Sequence, residues 1–318
     1  MKVVALAGGV GGAKMADGLA RILPADDLTV IVNTGDDFSH FGLRICPDLD
    51  TVCYTLAGLA NPSTGWGRAD ETWNALNSIR ELGGPAWFQL GDKDLGTHLE
   101  RTRRLAQGEP LSKIVRDFSR SWGIAAQILP MSDHPVETWV ETEEMGWLPF
   151  QEYFVAQQCV PRVKQFEFRG AQQSLPAVGV LDALEVADCL IICPSNPWVS
   201  IAPILSIPGI KECCLKVPVR VAVSPIIGGK AIKGPAAKMY EELGINPSVL
   251  AVAESYRGLI DGLVIDRVDQ AYGEPLEKGG LHVLVTQTIM QNYIDRMNLA
   301  KETLEFCQKL LIFRKGRT

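Results

Sequence analysis

An apolar run that passes straight into four glycines leaves this chain few folds to choose from. Met1-Lys2-Val3-Val4-Ala5-Leu6-Ala7 is followed by Gly8-Gly9-Val10-Gly11-Gly12-Ala13-Lys14, and then by a stretch in which Met15, Leu19 and Ile22 recur about one helical turn apart. A nearly continuous apolar run marks a strand buried on both faces of a parallel sheet. The spacing after the glycines predicts an amphipathic helix. Strand, glycine turn and helix in that order set an α/β class. Glycine lets the backbone turn tightly and approach a ligand that a Cβ would block. The first amides of the helix then form an anion site, usually for phosphate. A glycine turn that binds nothing is the plain alternative.

The turn does not name its ligand. Counted from Gly9, the third position of a Gly-x-Gly-x-x-Gly dinucleotide fingerprint is Lys14, and no Gly-Lys-Ser/Thr closes a P-loop. With 318 residues the chain can form one large α/β domain, 1–318, with a smaller insertion. The formal net charge of −6 argues against non-specific nucleic-acid binding. Glycines interrupt the first apolar run after seven residues, so it makes no adequate signal sequence, and no run reaches the length of a membrane span. The eight cysteines show no Cys-x-x-Cys pair or zinc spacing and read as reduced, buried hydrophobes, which points to the cytoplasm.

Further strands deliver polar loops to one sheet edge, where parallel sheets bind ligands. Asp27 to Val32 reads as a second strand ending in Asn33-Thr34-Gly35-Asp36-Asp37, and Pro47-Asp48-Leu49-Asp50-Thr51 follows a Pro-led turn. Paired carboxylates on loops suit a divalent cation such as Mg²⁺; capping is the alternative, with Asp48 as a helix N-cap. Residues 61–128 read as a helical insertion carrying Trp66, Trp73 and Trp87. Within it, Lys93 on a glycine-flanked loop is a phosphate contact, and His98, Arg101, Arg103 and Arg104 form a basic cluster of which at least one arginine faces solvent. Val136–Thr142 and Phe150–Val155 read as strands, and Arg162 to Arg169 as an edge strand. Ser132-Asp133-His134 lacks a nucleophile elbow, so no hydrolase is expected. The strand 187–193 exposes Ser195 and Asn196, with Ser200 as a possible cap, and the strand 217–223 exposes Ser224, Gly228 and Gly229. Segments 249–253, 262–266 and 281–285 read as strands, and 291–313 as a closing helix.

In this order, the glycine turn, Asn33 to Asp37, Pro47 to Thr51, Leu90-Gly91-Asp92-Lys93-Asp94-Leu95, Leu129 to Asp133, Pro194 to Pro197 and Val223 to Gly229 resemble the 2-phospho-L-lactate transferase family of coenzyme F420 biosynthesis. Gly65-Trp66-Gly67 and Glu71-Thr72-Trp73-Asn74 are similar to its bacterial branch. The resemblance implies a Rossmann-like, doubly wound, mostly parallel sheet with a helical insertion, and a homodimer without nucleic-acid or membrane partners. It implies Mg²⁺-dependent transfer of a phospholactyl or phosphoenolpyruvyl group from a guanosine-diphosphate-linked donor to the deazaflavin FO, giving F420-0 or dehydro-F420-0 and GMP.

By the same resemblance Asp36 is a catalytic and metal-binding carboxylate with Asp37 as its neighbour. Asp50 is a catalytic residue that contacts FO, as do Thr51 and Gln89. Gly9, Gly11, Gly12, Lys14, Lys93, Ser195, Asn196, Ser224, Gly228 and Gly229 hold the donor and its phosphates. Lys93 stands where many relatives have arginine, and lysine cannot form the bidentate phosphate fork. Two rival readings remain at this point, a nucleotide- or nucleotide-sugar-binding relative without F420 chemistry and an NAD-binding dehydrogenase in which Asp36 would meet the ribose.

Overall fold

The computed structural model describes residues 1–316. β1 (Val3–Ala7) passes through Gly8 into α1 (Gly9–Ile22), and β2 (Leu28–Val32) follows. A hairpin of β3 (Phe38–His40) and β4 (Leu43–Ile45) precedes α2 (Pro47–Leu56). Then come α3 (Asn74–Glu81), α4 (Asp92–Ala106), α5 (Leu111–Ser121) and β5 (Gln127–Pro130). β6 (Glu137–Thr142), β7 (Gly146–Pro149) and β8 (Val163–Arg169) form a separate antiparallel sheet. α6 (Val180–Glu185), β9 (Cys189–Ile192), α7 (Ala202–Ser206), α8 (Ile210–Lys216) and β10 (Val219–Val223) return the chain to the main sheet. The remainder is a small hairpin of β11 (Ile226–Ile227) and β12 (Lys230–Ala231), then α9 (Ala236–Glu242), α10 (Val249–Ser255), β13 (Gly262–Asp266), α11 (Gly273–Lys278), β14 (His282–Thr286) and α12 (Tyr293–Lys315).

The main sheet has seven parallel strands in the order β14-β13-β10-β9-β1-β2-β5. The chain works outward through β2 and β5, then crosses back to β9 and works outward on the other side. The order therefore reverses between β1 and β9, and this doubly wound pattern is the one the family resemblance implies. Because successive strand residues face opposite sides, Val4, Leu6, Ile31, Leu190 and Ile192 pack with α6, α8 and α10. Val3, Ala5, Ala7, Val30 and Ile191 pack with α1, α2 and α12. Among the described residues no single helix is long and apolar enough to cross a membrane.

Two expected strands are helical. Val249–Ser255 is α10, started by the Ser248 hydroxyl accepting from the Ala251 amide, so its apolar run is a buried helix face. After β7 ends at Pro149, residues 152–156 form one wide helical turn that buries Tyr153. A short apolar run does not separate a strand from a buried helix. α3, α4 and α5 stand within 61–128, whereas residues 127 and 128 belong to β5.

Candidate active site

The crevice above the carboxyl ends of β1 and β9 is the expected ligand site of such a sheet. The glycine turn forms one wall of it. Gly9 has φ +64°, and a Cβ there would meet nothing within 4 Å. Gly8, Gly11 and Gly12 have a different reason: a Cβ would lie 2.5 Å from the Asp48 carboxylate, 2.2 Å from the Pro194 carbonyl and 2.7 Å from Ser195 Oγ, respectively. These three glycines allow α1 to close against the loop after β9 and the start of α2. No side chain caps α1 at Gly8.

A carboxylate reaches the glycine turn from outside. Asp48 Oδ1 accepts from the Gly9 amide at 2.6 Å. It does not cap its own helix, where Cys46 is the N-cap residue, and both Asp48 and Asp50 lie in the first turns of α2 rather than on a loop. Buried Asn33 is the hub. Its Nδ2 lies 2.9 Å from Asp48 Oδ2, 3.3 Å from Asp36 Oδ1 and 3.2 Å from the Val199 carbonyl. Gln151 donates to Asp36 Oδ2 at 3.2 Å. Arg44 on β4 pairs with Asp37 Oδ2 at 3.3 Å, while Asp37 Oδ1 is buried without a partner. Burial, reinforced by the nearby Asp48 and Asp37 charges, pushes the Asp36 carboxyl well above the ordinary range. Burial pushes Asp37 to about 6 against the pull of Arg44, and Asp48 to about 6 against its bonds from Asn33 and Gly9. Of these three desolvated carboxylates only Asp37 is paired with an arginine.

Asp50 sits in a different environment. Arg101 of α4, only 2% exposed, meets both of its oxygens: Nη2 pairs with Oδ1, and Nη1 donates to Oδ2 at 3.0 Å. His98 Nδ1 lies 3.2 Å from Arg101 Nη1, and His98 Nε2 lies 3.3 Å from Asp94 Oδ1. Tyr54 of α2 donates to the same Asp94 oxygen at 2.7 Å. Arg103 instead pairs with exposed Glu100, and Arg104 with Glu109 and Asp117. Asp94 also lines a cavity of about 120 Å³ together with Trp66, Trp73, Gln89, Arg68 and Glu71. A larger cleft of about 350 Å³, beside Lys2, Asp27 and Gln127, lies at the amino ends of the strands; parallel sheets bind ligands at the opposite end.

Other expected donor contacts already have partners within the chain. Ser195 Oγ donates to the Gly8 carbonyl at 2.8 Å, Asn196 caps the turn at 197–201, and Ser224 Oγ donates to the Ile226 carbonyl. Ser200 therefore caps nothing here and packs under Gly8. The Gly228 amide donates to Asp269. Gly229, at φ +74°, turns the β11–β12 hairpin. Lys14 Nζ donates to the Met290 carbonyl, and its burial lowers its pKa. Lys93 is in the first turn of α4, not on a loop, with Nζ 3.3 Å from the Ala69 carbonyl. Thr51 is buried beside Asp50 on α2.

The donor chemistry separates the two carboxylate groups as cation sites. Asp50, Asp94 and His98 bring three ligand atoms within 4.8 Å of one another, but the Arg101 guanidinium already supplies a cation there and a ring nitrogen is a poor Mg²⁺ ligand. Mg²⁺ prefers one or two carboxylates plus phosphate oxygens and water. Asp36, with Asp37 or Asp48, fits that need, because these carboxylates are all-oxygen, desolvated and short of positive charge.

Sequence reasoning did not single out Arg101, Asp94, Tyr54, Arg44 or Gln151. One signal was present: 94, 98 and 101 are spaced i, i+4 and i+7 along one helix face, which sets Arg101 apart from Arg103. Nothing local marks Gln151.

The sequence model of a family described as 2-phospho-L-lactate transferase CofD matches residues 3–307. A phosphoenolpyruvate transferase of Streptomyces griseus is 42% identical over 317 residues, covering 98% of this chain and 99% of that protein. A 2-phospho-L-lactate transferase of Methanococcoides burtonii is 39% identical over 300 residues, covering 94% of this chain and 97% of that protein. A crystal structure of a UPF0052 family member from Bacillus halodurans matches with a TM-score of 0.63 at 15% identity, covering 95% of this chain and 98% of that chain, a likeness of fold.

Proposed function

The chain belongs to the 2-phospho-L-lactate transferase family, and on that premise we propose that it transfers a phosphoenolpyruvyl or phospholactyl group from a guanosine-diphosphate-linked donor to FO in coenzyme F420 biosynthesis. The products are dehydro-F420-0 or F420-0 and GMP. The names of the bacterial relatives favour the enolpyruvyl donor. We place the enzyme in the cytoplasm as a homodimer.

The carrying observation is the crowding of Asp36, Asp37 and Asp48 at the glycine turn. Asp48 already occupies the Gly9 amide, so a diphosphate entering the β1–β9 crevice meets carboxylates. Charge neutralisation and in-line placement are the main needs of such a transfer, with little covalent help from the protein. Mg²⁺, held by Asp36 with Asp37 or Asp48, supplies neutralisation of the diphosphate when bound. Asn33 and Gln151 orient Asp36 through their amides. The free amides of the first turn of α1 face the donor phosphates.

On the acceptor side, Trp66, Trp73 and Gln89 provide the mouth of a pocket for a flat ring, with Asp94 on its wall. Asp50 accepts from the attacking ribityl hydroxyl. Because both Asp50 oxygens are held by Arg101, orienting that hydroxyl is its main role. Mass spectrometry of the product from FO and each of the lactyl, enolpyruvyl and glyceryl guanosine donors, with and without Mg²⁺, tests the reading. A dehydro-F420-0 product formed only with Mg²⁺ is expected; no FO-derived product from any donor would overturn it.

A further inference from the structure

Arg101 is among the largest fully buried side chains of the described residues, and it lies on a helix whose next arginine, Arg103, faces outward. Its Nη1 is shared among three acceptors: Asp50 Oδ2 at 3.0 Å, His98 Nδ1 at 3.2 Å and the Arg44 carbonyl at 3.3 Å. An arginine only donates, so His98 Nδ1 must accept, and the ring proton must sit on Nε2, which lies 3.3 Å from Asp94 Oδ1. An imidazolium, or a ring protonated at Nδ1, would set two N–H groups against each other. The backbone secures the same arrangement, because the Arg44 amide donates to Thr102 Oγ1 at 2.8 Å and ties the β3–β4 hairpin to α4.

We propose that Arg101 and His98 are positioning residues for Asp50: the guanidinium fixes both carboxylate oxygens, and His98, as the neutral tautomer protonated at Nε2, fixes the guanidinium. The inference rests on the proposed transfer to FO. It places in α4 the element that aims the acceptor-side carboxylate, which neither the glycine turn nor the Asp36 group can do. It also accounts for Asp94, whose Oδ1 accepts from the Tyr54 hydroxyl and lies 3.3 Å from His98 Nε2, a distance without hydrogen-bond alignment.

The tautomer is read directly by nitrogen NMR of the full chain labelled with ¹⁵N-histidine, with the His98 signal assigned by its loss in His98→Asn. A neutral ring protonated at Nε2 is expected; a proton on Nδ1, or an imidazolium at neutral pH, would overturn the inference. Kinetics with FO and the guanosine donor supply the second readout. His98→Leu is expected to lower kcat about 30-fold or more with the donor KM unchanged, because small misplacements of a reacting group cost on the order of a hundredfold. His98→Asn, whose amide oxygen replaces Nδ1 as acceptor, is expected to recover most of that loss. Equal losses in both variants, or wild-type kcat in His98→Leu, overturn the positioning role while leaving the transfer reading in place. Absence of any transfer by the wild-type chain instead overturns the reading on which the inference rests.

Discussion

Two groups of buried and half-buried carboxylates lie on opposite sides of the first turns of α2, and they are neutralised in different ways. Asp36, Asp37 and Asp48 receive amide hydrogen bonds and one arginine. Asp50 and Asp94 receive a fully buried arginine, a histidine and a tyrosyl hydroxyl. Burying a charge is costly unless it is paired. The second group therefore has its counter-charge within the chain and serves as an anchor, although His98 Nε2 and Arg101 Nε are buried without hydrogen-bond partners. The first is left with raised proton affinities, which is the need the proposed Mg²⁺ would meet. Residues of one chemical type, Asp48 and Asp50, two positions apart on one helix, thus have opposite needs.

The sharpest way to break this contrast is Asp50→Asn. Turnover with FO should fall at least about a hundredfold, and stability by about 3–5 kcal/mol, because a buried Arg101 loses its counter-charge; urea unfolding and a coupled FO assay read both. Unchanged stability would mean that the Asp50–Arg101 pair is not the closed unit described here. Asp36→Asn should do the reverse. Mg²⁺-dependent activity should be lost, while the metal-free protein should become more stable, since a desolvated carboxyl is removed. A destabilised variant with an unchanged Mg²⁺ titration would remove Asp36 from the cation site.

The third test uses pH. Asp37 and Asp48 are raised to about 6 in the folded chain and Asp36 is raised well above its ordinary range, so through Asp37 and Asp48 the native state binds more protons than the unfolded state between about pH 4 and 6, and Asp36 acts in the same direction. Their contribution to stability is therefore greatest at the acid end and declines as pH rises through that window. Mg²⁺ binds the ionised carboxylates, so it should raise Tm more at about pH 7.5 than at about pH 5. Equal Mg²⁺ shifts at both would contradict the uncompensated state of this group. The smallest effect is expected at Arg103→Ala. Arg103 pairs with exposed Glu100, and its loss should leave the urea unfolding midpoint and FO kinetics unchanged, in contrast to its neighbour Arg101.

Much of the fold was legible locally. The apolar runs of β1, β2, β9, β10 and β13 are long enough to read as buried strands, and each ends in a polar loop. Val249–Ser255 was misread because its apolar residues fit either period and its start depends on one serine cap. The candidate site was legible as an inventory. Asp36, Asp37, Asp48 and Asp50 stood out by residue type and spacing, but the loop hydroxyls and amides expected to meet phosphate are largely engaged in joining the loops to one another.

By itself, then, the sequence determined the α/β class, the glycine turn that leads β1 into α1 and the presence of clustered carboxylates, because these follow from local periodicity and residue type. Only the tertiary structure decided which carboxylates are compensated. Arg101 meets Asp50 across 51 positions, and Gln151 meets Asp36 across 115. A charge is stabilised or left in need by whatever neighbours the packing brings to it after water is excluded, and no local pattern records those neighbours.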